Sequence, residues 1–90
     1  MDFYKEAAAH REYAVAQRRW LHMHPERSFC EFNTAAHIRA ELDKLGIAHS
    51  AAGETGTVGV IRGAKKGPVI ALRADIDALE ITERNDVPYR

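Results

Sequence analysis

Two aspartates separated by a single residue stand near the end of the most apolar run in the sequence. The stretch VIALRADIDALEI, residues 69–81, passes from Val69 through an arginine to Asp75 and Asp77. An ionised carboxylate is costly to bury unless another group pairs with it. Paired carboxylates suit three tasks: they coordinate a divalent cation, orient a metal-bound histidine, or share a proton as an acid and a base.

The position of these aspartates at the end of a predicted strand favours a ligand-binding site. The D-x-D pattern alone favours residues that cap turns. If the backbone is extended there, the side chains of Asp75 and Asp77 point to the same face. The carboxyl end of a strand is also where open α/β sheets bind ligands. However, D-x-D is a short pattern, and aspartate often caps turns and helix starts. Both aspartates are therefore candidate site residues, and the structural alternative is that they cap turns or helix starts.

Other groups with potential chemistry have simpler structural explanations. His22 and His24 flank one methionine, and alternate histidines on an extended segment can chelate zinc. His24 precedes Pro25, and neither a cysteine nor a carboxylate stands at a typical partner spacing, so we expect a structural turn. Cys30 follows no identifiable base, which predicts a small packing residue rather than a nucleophile. The sequence by itself therefore assigns no metal ligand.

Composition and charge exclude several classes of partner. The chain has 90 residues, of which 46% are hydrophobic and 29% charged, close to globular averages. Lys plus Arg and Asp plus Glu number 13 each, so no net field attracts nucleic acid or a membrane. A single cysteine forms no internal disulfide, and the N-terminus lacks an apolar leader. A cytoplasmic globular protein is expected.

Two helices are predicted in the first half of the chain. Residues 2–21 are rich in alanine without internal Gly or Pro, and Pro25 ends the helix that they form. Ser28 and Glu31 are spaced as in a capping box, which would begin the second helix. Gly46 would end it. One face of this helix is apolar, with Phe32, Ala35, Ile38, Leu42 and Leu45.

The second half of the chain predicts strands. Short β-type runs cover residues 47–51, 57–62 and 68–74, and the glycine-bounded link 63–67 favours a hairpin between the last two. Residues 82–90 are polar and predict a loop. The expected fold is α/β: two N-terminal helices packed on a small mixed sheet that contains a β-hairpin.

Three segments together resemble a known family. RRWLHMHPERSFCEFNTAAHIRAELDKLGI, GTVGVIRG and GPVIALRADIDALEI follow one another in the order and spacing of the N-terminal part of M20 metallopeptidases. The most similar branch contains amidohydrolases that act on N-acyl amino acids, such as hippurate hydrolases and auxin-conjugate hydrolases. The resemblance extends from about residue 18 to residue 89. It implies that residues 1–90 are an incomplete, zinc-exopeptidase-like catalytic domain.

The family's chemistry implies a role for the two aspartates. In the family, a divalent metal (Zn, Mn, Co or Ni) activates water that attacks an amide carbonyl. Asp75 and Asp77 align with the A-D-x-D form of the branch, and the resemblance implies that Asp77 orients a metal ligand while Asp75 lines the pocket. The family's metal ligands and its dimerisation domain lie outside these 90 residues. This sequence departs from the branch at two positions. Glu80 stands where the branch commonly has proline, which affects a turn. Cys30 stands where the branch commonly has Glu or Gln, which affects a helix cap.

The expected function is therefore the N-terminal portion of a metal-dependent amidohydrolase. Its substrate would be a small N-acyl amino acid, and the 90 residues alone would neither hydrolyse it nor bind metal tightly. One alternative is a phosphatase like the haloacid dehalogenases, which would use Asp75 or Asp77 with Mg²⁺. Another is a non-catalytic module that self-associates through an exposed apolar sheet face.

Overall fold

The computed structural model describes residues 2–90 and is mixed α/β. Its elements, in chain order, are α1 (Phe3–Ala8), α2 (Arg11–Met23), α3 (Phe32–Lys44), β1 (Ala48–Ala52) and β2 (Gly56–Val60). The chain divides into two compact units. One contains the chain up to Pro25 together with Glu80–Arg90, and the other is Glu26–Leu79. No helix within residues 2–90 combines the length and the apolar character needed to cross a bilayer.

The predicted first helix is in fact two helices. The Asp2 carboxylate caps α1 by accepting hydrogen bonds from the amides of Tyr4 and Lys5, at 3.1 and 3.2 Å. The chain then leaves the α conformation at His10, whose amide donates to the Ala7 carbonyl three residues back, at 3.0 Å. Such a bond belongs to the tighter 3₁₀ turn. A single helix over residues 2–21 was therefore a wrong prediction, because alanine content does not register this local tightening.

Helix α3 begins differently from the prediction and ends as predicted. Glu31 is its N-cap but makes no side-chain capping bond, so the proposed Ser28–Glu31 capping box is wrong. At the other end Gly46 adopts φ +70°, and the amides of Gly46 and Ile47 donate to the carbonyls of Asp43 and Leu42. This pair of bonds is a Schellman motif, which satisfies carbonyls that the helix leaves unpaired.

The hairpin lies one strand earlier than predicted. Strands β1 and β2 pair antiparallel, with Ala48 opposite Val60 and Ala52 opposite Gly56. Residues 68–74 are not a strand, so the predicted hairpin through 63–67 is wrong, and the sheet is antiparallel rather than mixed. A strand needs a neighbour for its backbone hydrogen bonds, and within residues 2–90 no strand pairs with this segment.

The Glu26–Leu79 unit packs α3 against both strands of the hairpin. Gly59 of β2 lies against the side chains of Leu42 and Ile47, where a β-carbon would already be in van der Waals contact. The most buried side chains at the start of α3 are Thr34 and Ala35, which are 1% and 2% exposed. The predicted apolar face is only partly covered, because Phe32 and Leu45 at its two ends remain exposed.

Candidate functional site

Asp77 is held by a turn that precedes α3. The amide of Cys30 donates to the carbonyl of Arg27 at 3.0 Å, which closes a four-residue turn. Within it the hydroxyl of Ser28 donates to Oδ2 of Asp77 at 3.0 Å. Phe29, the third residue of this turn, has φ +66°, a conformation that favours glycine. The turn thus keeps an unfavourable backbone conformation at Phe29 beside the serine that contacts Asp77.

A second contact fixes the same segment at the neighbouring residue. The amide of Ala78 donates to the backbone carbonyl of Glu26 at 2.7 Å. We call Glu26, Ser28, Asp77 and Ala78 the loop anchor. All four residues belong to the Glu26–Leu79 unit, and they join residues 49 and more positions apart in sequence.

The carboxylate of Glu26 connects the loop anchor to α3. Its oxygens accept from the amide of Asn33 at 3.1 Å, and from both the amide and the hydroxyl of Thr34 at 2.6 Å. These amides belong to the first turn of the helix, where N–H groups lack partners within the helix and the helix dipole favours negative charge. Glu26 therefore performs the capping role that the sequence assigned to Ser28 and Glu31.

Asp75 has a different environment from Asp77. Its Oδ1 lies 2.9 Å from Nη2 of Arg73, and the two side chains are 69% and 85% exposed. Ion pairs at this exposure contribute little to stability because water screens them. The structure therefore gives the two aspartates separate partners, and no described contact joins them as a proton-sharing pair.

Metal ligation is not a property of the described residues by themselves. Across residues 2–90 no group of three or more His, Cys, Asp or Glu side chains is placed to hold a metal ion. Asp77 and Asp75 alone supply too few ligands for the four-coordinate sites typical of zinc. The resemblance places the family's metal ligands outside these 90 residues, so the described residues do not test the metal centre that it implies.

The two histidines of the H-x-H stretch contact protein groups rather than each other. Nδ1 of His24 lies 2.7 Å from the carbonyl oxygen of Trp20, and its ring stacks on the Trp20 ring with centroids 4.1 Å apart. Nε2 of His22 lies 3.3 Å from Oε1 of Glu83, and both side chains are half-buried. The partner of His22 is 61 positions away in sequence, so no local pattern could have identified it.

Sequence reasoning missed the environment of Glu31. This residue is only 8% exposed, and its Oε2 accepts a hydrogen bond from the hydroxyl of Thr55 at 3.4 Å. Its Oε1 is buried and has no hydrogen-bond partner within residues 2–90. Thr55 lies in the turn between β1 and β2, so Glu31 ties the start of α3 to the hairpin. The capping-box pattern thus identified Glu31 as a residue with a structural role. It predicted Ser28 as its partner, whereas the structure shows Thr55.

Helix α3 holds the hairpin at a second point through an arginine. Nε of Arg39 donates to the hydroxyl of Thr57, and Nη2 donates to the carbonyl of Gly56, both at 2.9 Å. The rigid fork of the guanidinium suits such a two-point contact. Cys30, at the end of the turn that carries Ser28, is half-buried and has a free thiol.

Comparison with known proteins finds relatives that are named hydrolases. No family model matches the chain, and no solved structure does. The chain is 51% identical over 79 residues to a protein named "uncharacterized hydrolase" in Staphylococcus aureus strain bovine RF122 / ET3-1, and equally to one of the same name in strain USA300. It is 46% identical over 79 residues to an "uncharacterized hydrolase" of Staphylococcus haemolyticus.

These matches cover most of this chain and a small part of each relative. In all three, the aligned segment is 88% of this chain and 20% of the relative. The chain thus spans about one fifth of the length of the proteins that it matches.

Proposed function

We propose that this chain is the N-terminal part of a hydrolase, and more specifically of a metal-dependent amidohydrolase that cleaves the amide bond of N-acyl amino acids. The observation that carries the proposal is the 51% identity over 79 residues to proteins named hydrolases. The resemblance of the segments around Asp75 and Asp77 to M20 amidohydrolases supports the finer assignment. A cytoplasmic location belongs to the same proposal, as is usual for a chain with a single cysteine, here Cys30.

The geometry supports a positioning role for Asp77 in this reaction. Its Oδ2 is fixed by Ser28, whereas its Oδ1 accepts no hydrogen bond from residues 2–90. A carboxylate held in this way can accept the ring N–H of a histidine that ligates metal, which fixes the tautomer and orientation of that histidine. The metal ligands would come from residues beyond these 90, and the 90 residues alone would have no activity. Asp75, whose side chain is 69% exposed, would line the pocket.

A chimera tests the proposal directly. In the S. aureus RF122 / ET3-1 relative, the segment matched by this chain would be replaced with the corresponding 79 residues of this chain. The parent, the chimera and the isolated 90-residue chain would be incubated with a panel of N-acetyl and N-benzoyl amino acids. Release of the free amino acid would be measured. We expect turnover by the parent and the chimera and none by the isolated chain.

Two outcomes would reject the proposal. In the first, the parent releases amino acid from at least one substrate, whereas a folded chimera releases none from any of them. In the second, the parent and the chimera hydrolyse an aryl phosphate with Mg²⁺ and leave every N-acyl amino acid intact. The second result would favour a phosphatase that uses Asp75 or Asp77 as its nucleophile.

A further inference from the structure

Helix α2 forms one wall of a cavity that is distinct from the loop anchor. The cavity has a volume of about 420 Å³ and is largely open to solvent. We call its lining residues the arginine cleft: Arg11, Ala14, Val15, Arg18, Arg19 and Tyr89. Its residues all belong to the compact unit formed by the chain up to Pro25 with Glu80–Arg90. Positions 11, 15 and 18 are spaced by four and three residues, so they share one face of the helix.

Tyr89 organises two of the three arginines. The Cζ atoms of Arg19 and Arg18 lie 4.6 and 5.9 Å from the centroid of the Tyr89 ring. Both distances are within the range of cation–π attraction. The ring is itself contacted edge-on by His22, with centroids 5.6 Å apart. The half-buried Tyr89 ring is therefore contacted by the guanidinium groups of Arg18 and Arg19 and by the His22 ring.

The positive charge of the arginine cleft is not neutralised by ion pairs. Among residues 2–90, the structure pairs no carboxylate with Arg11, Arg18 or Arg19 within 4 Å. One acid stands close by: Glu12 lines an adjoining cavity that also contacts Arg11 and Arg19. The residues that line these two cavities thus include three arginines and one acid, in a chain whose overall charge is zero. The guanidinium N–H groups of these arginines form no ion pair with a carboxylate of the described residues, so they could donate hydrogen bonds to an added anion.

We propose that the arginine cleft binds a small organic carboxylate with a flat apolar group. The planar fork of arginine matches a carboxylate with two parallel hydrogen bonds. Val15, Ala14 and the Tyr89 ring provide apolar contact beside it. This site shares no residue with the loop anchor or with Asp75, and the proposal does not rest on the proposed hydrolase activity.

The test uses benzoate and the 90-residue chain. Nitrogen-15 NMR would follow the Nε–H signals of Arg18 and Arg19 and the amide of Tyr89 at constant ionic strength. Acetate carries the same charge without the ring, and inorganic phosphate carries charge without an apolar group. We expect saturable shifts with benzoate, and binding at least tenfold tighter than that of acetate or phosphate.

Substitutions in the same titration separate a specific site from general attraction of anions. Arg19→Gln should weaken benzoate binding about tenfold or more, because hydrogen bonds to charged groups are the strong ones. Arg19→Lys keeps the charge and removes the fork, so it should also weaken binding. Arg62→Gln removes the same charge from an exposed position outside the cleft and should change nothing.

The proposal fails in any of three cases. Benzoate and acetate could shift the signals equally and without saturation, or phosphate could bind more tightly than benzoate. Alternatively, Arg62→Gln could weaken binding as much as Arg19→Gln. Circular dichroism would establish that each variant is folded, and Arg19→Lys is the second variant if Arg19→Gln does not fold.

Discussion

Asp75 and Asp77, the two candidate site residues, differ in the contacts that their side chains make. Asp77 accepts a hydrogen bond from Ser28, and the adjacent Ala78 amide is bonded to Glu26. Asp75 forms only an exposed ion pair with its near neighbour Arg73. The partner of Asp77 is 49 positions away in sequence, so this bond fixes the side chain relative to a distant part of the fold, which the Arg73–Asp75 pair does not do. We therefore propose Asp77, rather than Asp75, as the positioning residue.

Substitution of Asp77 should impair the chimera more than substitution of Asp75. Asp77→Ala is expected to lower turnover or metal affinity about 10- to 100-fold, as loss of a group that orients a metal ligand commonly does. Ser28→Ala should produce a smaller loss, since it removes only the bond that orients Asp77. The measurements are kcat/KM and metal content per chain.

The control for this series is Asp86→Ala, which removes an exposed acid whose described ion pair, with Arg90, is long at 4.0 Å. Equal losses for Asp77→Ala and Asp86→Ala would show a general charge effect. Unchanged activity and metal content in Asp77→Ala would remove the assigned role altogether.

Glu26 should contribute measurably to stability through α3. Glu26→Ala removes the acceptor for two amides and one hydroxyl at the helix start. We expect a decrease of about 1–2 kcal/mol in the free energy of unfolding, comparable to loss of an N-cap. Urea denaturation followed by circular dichroism measures it. Glu54→Ala, at an exposed position of the hairpin turn, is the matched control, and identical urea midpoints for the two variants would contradict the capping role.

For the helices and strands, local sequence patterns predicted the kind of element better than its position. The end of α3 at Gly46 was predictable, because a left-handed residue after a helix has a strong local preference for glycine. The hairpin was assigned to the wrong glycine-bounded link. Residues 63–67 carry as good a local signal as residues 53–56, but only the latter contact α3, through Thr55 with Glu31 and through Gly56 with Arg39. Those contacts are tertiary and leave no trace in local spacing.

The hairpin turn should depend on Gly56 for steric reasons. A β-carbon at this position would overlap the carbonyl oxygen of Ala52, a backbone atom that cannot move aside cheaply. Gly56→Ala is therefore expected to destabilise the Glu26–Leu79 unit by more than about 1 kcal/mol, as happens when a substitution is incompatible with the native backbone.

The comparison variant for the turn is Gly67→Ala, where a β-carbon meets nothing within 4 Å. It should be neutral or slightly stabilising, since it restricts the unfolded chain. Thermal unfolding of both variants provides the measurement. If Gly67→Ala lowers the melting temperature as much as Gly56→Ala, the steric explanation is wrong.

At the scale of the whole molecule, apolar surface is exposed where the sequence predicted a buried strand. Val69 and Leu72 are 96% and 99% exposed, and Ile70 and Ile61 are also largely open to solvent. The sequence indicated the apolar character of this segment correctly. It could not provide the neighbouring strand that would bury it, because pairing depends on chain segments far apart in sequence. The α/β class was thus predictable, whereas the extent of the sheet was not.

Exposed apolar residues of this kind predict association at high concentration. Contiguous apolar patches on a surface favour contact with a second copy. We expect the 90-residue chain to show a concentration-dependent mass in sedimentation equilibrium, and Leu72→Asp to reduce it. Ala71→Asp introduces the same charge at the neighbouring position without removing a large apolar side chain, and its effect should be smaller. A constant monomer mass at all concentrations would contradict this prediction.

We propose above that these residues form part of a metal-dependent amidohydrolase. The most direct test is the rate at which the chimera releases amino acid from its best N-acyl substrate, measured before chelation, after chelation, and after adding back Zn, Mn, Co or Ni. We expect turnover that is lost on chelation and restored by at least one of these metals. Turnover that survives complete removal of metal, or a folded and metal-loaded chimera that releases no amino acid although its parent does, would contradict it.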